Sequence, residues 1–214
     1  MSGSNDSAYD KEKMRNTYNR IAADWHEAHQ PDTWWVKGFD VFHSYLFPGA
    51  LVLDVGCGSG TMASHFIEQG MNVFGIDISD ELLAIARREV PKGEFVELDL
   101  RDVGSLDRSF DGIFAQASLL HIPKKEVSNI VRALAGRLKP GGFFYAAVKE
   151  IRAGEPDEEI KVRNDYGYEY KCFFSYFKMD ELKTYFRDAG FSIVYEAIEP
   201  SGSTRWLSLV AKKP

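Results

Sequence analysis

The stretch LVLDVGCGSG, Leu51 to Gly60, decides how the rest of this 214-residue chain is read. Leu51 to Val55 is an apolar run of buried-strand character, and it ends in Gly56, Gly58 and Gly60. A helical pattern starts at Ser59 or Thr61. Strand, glycine turn and helix together aim backbone N–H groups at a ligand at the switch point of an open α/β sheet. Glycine lets the backbone lie against that ligand where a Cβ would collide. A dinucleotide turn reads GxGxxG, whereas this one reads GxGxG, with Asp54 two residues ahead of the first glycine.

The following segments alternate strand and helix. Thr61 to Gln69 reads as a short helix with Gly70 as its stop. Asn72 to Ile76 is a second strand ending at Asp77, 17 residues past Gly60, where a carboxylate is placed to accept ribose hydroxyls. Asp80 to Glu89 is a helix with Ser79 as N-cap, and Glu94 to Leu98 is a third strand that ends at Asp99. Phe110 to Gln116 is a fourth strand. Val127, Ile130, Val131, Leu134 and Leu138 mark one helix face, which stops at Lys139-Pro140-Gly141-Gly142, and Phe143 to Val148 is the fifth strand. Asp180 to Ala189 is a final helix. Phe191 to Ile198 and Arg205 to Ala211 are joined by so short a turn, Glu199 to Ser203, that they must run antiparallel.

The loop DVGCGSG (Asp54 to Gly60), the LKPGG before the fifth strand and the closing hairpin resemble the class I, Rossmann-like S-adenosylmethionine-dependent methyltransferases. The resemblance covers roughly Leu46 to Lys213. It implies an α/β fold: a seven-stranded, mostly parallel sheet with a terminal antiparallel hairpin and helices on both faces. It also implies S-adenosylmethionine as cofactor, with Asp99 near the adenine amino group and Tyr18, in TYNRIAADW, near the methionyl carboxylate. The cofactor contacts expected on this basis are Tyr18, Trp25, Asp54, Gly56, Cys57, Gly58, Gly60, Asp77, Ile78, Asp99, Leu100 and Gln116.

Composition bounds the partners. The net charge is −6, and the 26 lysines and arginines are scattered rather than gathered on one face, so no nucleic-acid partner is expected. The fourth strand runs into AQASLLHIP, which is not the signature of base amino-methylation, and no Pro-Cys pair offers a nucleophile for pyrimidine carbon. No apolar stretch approaches the ~20 residues of a membrane span. Cys57 and Cys172 are the only cysteines, which fits a reducing cytoplasm, and no CxxC or histidine cluster points to a metal.

Three segments lie outside the sheet: a tail over residues 1–8, expected to be disordered; an amino-terminal helical cap over residues 9–47; and a flap over residues 150–177 inserted into the core of 48–214. In the cap, Met14, Tyr18, Ile21, Trp25 and Ala28 form one helical stripe and Trp35, Phe39, Phe42 and Leu46 another, broken apart at Pro31-Asp32. These rings either pack the core or wall an acceptor pocket, and Trp34 and Trp35 are the candidates for the wall. In the flap, Tyr166, Tyr168 and Tyr170 would share one strand face, followed by CFFSYF. Such a flap either seals the sheet or closes over an acceptor, with Tyr168 and Tyr176 as candidate contacts.

Methyl transfer from a sulfonium needs alignment and exclusion of water, and a base only where the acceptor must lose a proton. His121, in SLLHIP, is the candidate base; the alternative is a histidine that braces its loop. The expected function is methyl transfer to a small O, N or S acceptor. The other readings are a protein or RNA acceptor, a cofactor-binding protein without catalysis, and a nicotinamide or flavin enzyme with a related half-fold.

Overall fold

A computed structural model of the chain describes residues 9–29 and 33–214. The tail over 1–8 and the Pro31-Asp32 break lie outside the described residues. Two helices come first, α1 (Lys11–His29) and α2 (Val36–His43). Then follow β1 (Leu51–Val55), α3 (Thr61–Glu68), β2 (Asn72–Asp77), α4 (Asp80–Glu89), β3 (Glu94–Glu97), β4 (Phe110–Gln116) and α5 (Lys124–Arg137). The rest is β5 (Leu138–Lys149), β6 (Glu158–Arg163), β7 (Tyr170–Ser175), α6 (Met179–Asp188), β8 (Ser192–Ser201) and β9 (Thr204–Lys212).

Seven strands form one sheet in the order β3-β2-β1-β4-β5-β9-β8. β1 to β5 are parallel, and β9 runs antiparallel to both its neighbours, β5 and β8. The chain steps outward from β1 to β3, then returns to place β4 on the other side of β1. The loops leaving β1 and β4 therefore diverge and open a crevice between them.

Period-two alternation feeds both faces of the sheet. Leu53, Ile113 and Phe144 enter a core with α5 and α6, through Val131, Leu134, Leu182 and Phe186. Their chain neighbours Val52, Phe114 and Tyr145 enter a second core with α2 and α3, through Phe39, Phe42 and Phe66. Phe114 stacks on Tyr145 with ring centres 4.4 Å apart, so the α2 face is an aromatic pack across β4 and β5. Ser79 caps α4 as expected, its Oγ accepting from the Leu82 N–H.

Three expectations need correction. The α5 stop comes slightly earlier than expected, at Arg137 with Leu138 as C-cap, and LKPGG already opens β5, with Leu138 paired to Phe110 before a register shift. The closing turn is shorter than expected, because β8 continues to Ser201 and only Gly202-Ser203 remain between the strands. β8 is an edge strand, where Pro200 loses nothing by lacking an N–H. Finally, Tyr166 and Tyr168 are not on a strand. They sit in the connection between β6 and β7, where Gly167 at φ +80° turns the chain.

β6 and β7 form a separate antiparallel pair, the body of the flap. It is tied to the core near the end of β4, where Ser175 Oγ donates to the Ile122 carbonyl at 2.7 Å. α1 packs on it through Thr17, whose Oγ1 donates to the Lys171 carbonyl at 3.0 Å, and Tyr9, just before α1, lies edge-on to Phe173 at 5.3 Å.

Candidate active site

A cavity of about 280 Å³ runs along the carboxyl ends of the five parallel strands. Its two ends differ in charge. The acidic end follows β1, β2 and β3. Asp54, on β1, is buried, and its Oδ2 has no hydrogen-bond partner. Burial, and then the charge of Asp77, push its carboxyl up to about 8. Asp77, at the tip of β2, binds the glycine loop: its Oδ2 accepts the Gly58 N–H and its Oδ1 the Ser79 N–H, each at 2.9 Å. Burial raises its carboxyl against the lowering effect of these N–H groups. Asp99 is also buried, but its carboxylate is held by the Arg101 guanidinium at 2.9 Å and by Lys11 at 3.4 Å. An adenine contact through that side chain would compete with both cations.

The glycines are spatial requirements. Gly56 sits at φ +71°, and a Cβ there would lie 2.6 Å from Ser118 Cβ, so the two loops are in contact at the floor of the crevice before they diverge. A Cβ on Gly58 would come within 3.2 Å of the Trp25 ring, which lies over the loop from α1. Burial pushes the Cys57 thiol well above its ordinary value, so it is a small loop residue and not a nucleophile.

The other end follows β4 and β5. His121 Nδ1 lies 2.8 Å from the Phe173 carbonyl and Nε2 lies 2.8 Å from the Tyr18 hydroxyl. A carbonyl only accepts, so the proton is on Nδ1 and Tyr18 donates to bare Nε2. Burial lowers the imidazole to about 4, rather than leaving it near neutrality; Lys149 and Arg163 add to this. Lys149, the last residue of β5, holds its ammonium 4.1 Å from the centre of the Phe174 ring. Trp34 stacks on Trp206 at 3.9 Å to complete an aromatic wall.

Of the residues expected from sequence, Tyr18, Trp25, Asp54, Gly56, Cys57, Gly58, Asp77, Ile78, Asp99, Leu100, Gln116, His121, Trp34 and Trp35 line this cavity. Gly60 lies behind it, packed on α4, where its Cβ would be 3.1 Å from Ala86. Tyr168 and Tyr176 lie elsewhere. Tyr168 donates to Asp24 under Arg20 and so fastens the flap to α1. Tyr176 follows β7 on the same face as Phe174, its ring 6.2 Å from that ring, and its hydroxyl donates to Glu159 at 2.7 Å beyond the cavity lining. Phe174, one of the flap rings in CFFSYF, also lines the cavity, whereas sequence reasoning missed Ser118, Lys149, Arg163 and Trp206. Only Lys149 left a signal, as the first charge after the apolar run FFYAAV.

The fold is that of class I methyltransferases, and residues 52–142 match the family model described as a methyltransferase domain. Ubiquinone biosynthesis O-methyltransferase of Xanthomonas axonopodis pv. citri is 37% identical over 102 residues, which are 45% of this chain and 42% of that protein. The chain thus spans less than half the length of this curated relative. Among solved structures, magnesium protoporphyrin IX methyltransferase of Synechocystis PCC 6803 with bound S-adenosylmethionine has TM-score 0.75 at 21% identity, covering 99% of this chain and 100% of that one. The 1,6-didemethyltoxoflavin-N1-methyltransferase of Burkholderia thailandensis has TM-score 0.74 at 22% identity, covering 94% and 88%.

Proposed function

We propose that this protein transfers a methyl group from S-adenosylmethionine to an O, N or S atom of a small-molecule acceptor. One observation carries the cofactor assignment: the glycine loop faces two buried carboxylates, one with a bare oxygen. A dinucleotide would bring a pyrophosphate to a loop already facing negative charge. A cofactor that is cationic at its amino and sulfonium groups instead offsets the burial of Asp54. When bound, the cofactor supplies a methyl group on a good leaving group. Asp77 would take its ribose hydroxyls, Asp54 its cationic end, and Leu100, beside Asp99, its base.

The chain's own residues do the remainder. Trp34 from the cap and Phe174 from the flap exclude water from the acceptor end, and Trp25 covers the glycine loop. Tyr18 and His121 handle the acceptor's proton: it passes to the Tyr18 oxygen while the Tyr18 proton passes to His121 Nε2. A histidine poised near 4 is a weak base, so alignment supplies most of the acceleration and the relay a smaller part. His121→Ala and Tyr18→Phe should each lower turnover on the order of 10²-fold, with cofactor affinity little changed. The double variant should be no worse than either, because the two act as a unit. The kcat/KM profile should rise with pH through about 4 and then stay flat, since only the neutral imidazole accepts the proton. Normal turnover by His121→Ala would reduce it to a brace for Phe173.

Small-molecule acceptors are favoured by the enclosed aromatic end and by the similarity to methyltransferases that act on small molecules. The acidic balance disfavours nucleic acid. A cytoplasmic setting is supported by two cysteines that are both free and buried. No helix among the described residues is long and apolar enough to cross a membrane. The test is a panel of phenols, amines and thiols with S-adenosylmethionine, followed by release of S-adenosylhomocysteine and the product's mass. A methylated small molecule is expected; label passing only to RNA or protein would overturn the acceptor assignment.

A further inference from the structure

The acceptor end of the cavity carries a charge that the transfer chemistry does not need. Lys149 is half-buried, and among the described residues no carboxylate pairs with it and no hydrogen bond holds its Nζ. Its close neighbours are rings: Phe174 at 4.1 Å and Trp206 at 5.7 Å. Ring faces attract a cation but do not replace a counter-ion. A second cation, Arg163, lines the same end, though Asp165 pairs with it at 2.7 Å. Lys149 therefore stands in a partly desolvated, electropositive site, and burial with Arg163 nearby pulls its ammonium down to about 8. Such an arrangement is costly unless a ligand supplies the missing negative charge.

The sheet order places that charge. Reading β3-β2-β1-β4-β5, the carboxylates stand at the first three strand ends, His121 follows the fourth, and Lys149 ends the fifth. The cation is thus separated from the glycine loop by the Tyr18–His121 pair, on the side where the aromatic wall lies. We propose that the acceptor is a planar, conjugated molecule bearing an acidic group, and that Lys149 determines specificity by binding that group between Phe174 and Trp206. This rests on the methyltransferase reading and narrows its substrate class.

The test uses a matched pair of probes, 2-naphthoate and 2-naphthamide, titrated calorimetrically into the full chain saturated with S-adenosylhomocysteine. A charge-assisted contact predicts that naphthoate binds about tenfold or more tightly than the amide. Lys149→Gln should abolish that preference while leaving naphthamide and S-adenosylhomocysteine affinities within about threefold, and Lys149→Arg should keep it. Equal binding of the two probes, no naphthoate binding, or a preference that survives Lys149→Gln would overturn the inference and leave the methyltransferase reading intact. Loss of S-adenosylhomocysteine in Lys149→Gln would also overturn it, by assigning Lys149 to the cofactor's carboxylate. Failure of the wild-type chain to bind S-adenosylhomocysteine at all would instead remove the methyltransferase reading, and this inference with it.

Discussion

Asp77→Ala should lose S-adenosylmethionine affinity by about 3 kcal/mol or more, a hundredfold or greater rise in Kd. Two losses combine. The ribose hydroxyls lose a charged acceptor, worth about 1.5–3 kcal/mol by the scale for hydrogen bonds to ionised groups. The Gly58 and Ser79 N–H groups lose the carboxylate that joins the β1 loop to the tip of β2, so the loop is no longer held in its binding form. Asp77→Asn keeps one acceptor oxygen and should fall between the two. Calorimetry on the three proteins checks this order; an Asp77→Ala variant with wild-type affinity would show that the β2 tip does not touch the cofactor.

Asp54→Asn should separate stability from binding. The folded-state value for this carboxyl, about 8, lies above its ordinary value of 3.8, so the folded chain holds the proton more tightly than the unfolded chain does. Its contribution to stability is fully present below the ordinary value and declines as pH rises toward about 8. Asparagine removes that decline. The ligand-free variant should therefore be more stable than wild type at pH 8, by on the order of 2–4 kcal/mol, and about equal near pH 4. The same change removes a carboxyl that can give up its proton to pair with the cofactor's cationic end, and should weaken binding about tenfold to a hundredfold. Melting curves across pH, with and without S-adenosylhomocysteine, read both effects. A variant less stable than wild type at pH 8 would mean that Asp54 is already paired in the free protein.

The parallel core was legible because its signals are local. Apolar runs ending in Asp or Gly located β1 to β3, and Ser79, Gly70 and the stripe of α5 located helix boundaries. Asp54, Asp77 and His121 were legible because each stands where a strand meets its loop. The acceptor end was not. Trp206 reaches the cavity through the antiparallel pairing of β9 with β5, opposite Lys149, a contact between residues 57 apart in the chain. Phe174 and Tyr176 read alike in CFFSYF and stack on one face of the flap, but only Phe174 lies far enough along it to reach the cavity. The depressed imidazole of His121 likewise depends on burial and on Lys149 and Arg163, which outweigh the raising effect of the Phe173 carbonyl, and no local pattern shows that balance. Ala117 takes φ +53° without being glycine, a strain at the crevice that no composition rule flags.

The most direct test is a pair of calorimetric titrations of the full chain, one with S-adenosylhomocysteine and one with NAD. Saturable one-to-one binding of S-adenosylhomocysteine, lost in Asp77→Ala, with no heat from NAD, is the expected result. Saturable binding of NAD with none of S-adenosylhomocysteine would contradict the assignment of the glycine loop and its two carboxylates to a cationic, sulfonium-bearing cofactor.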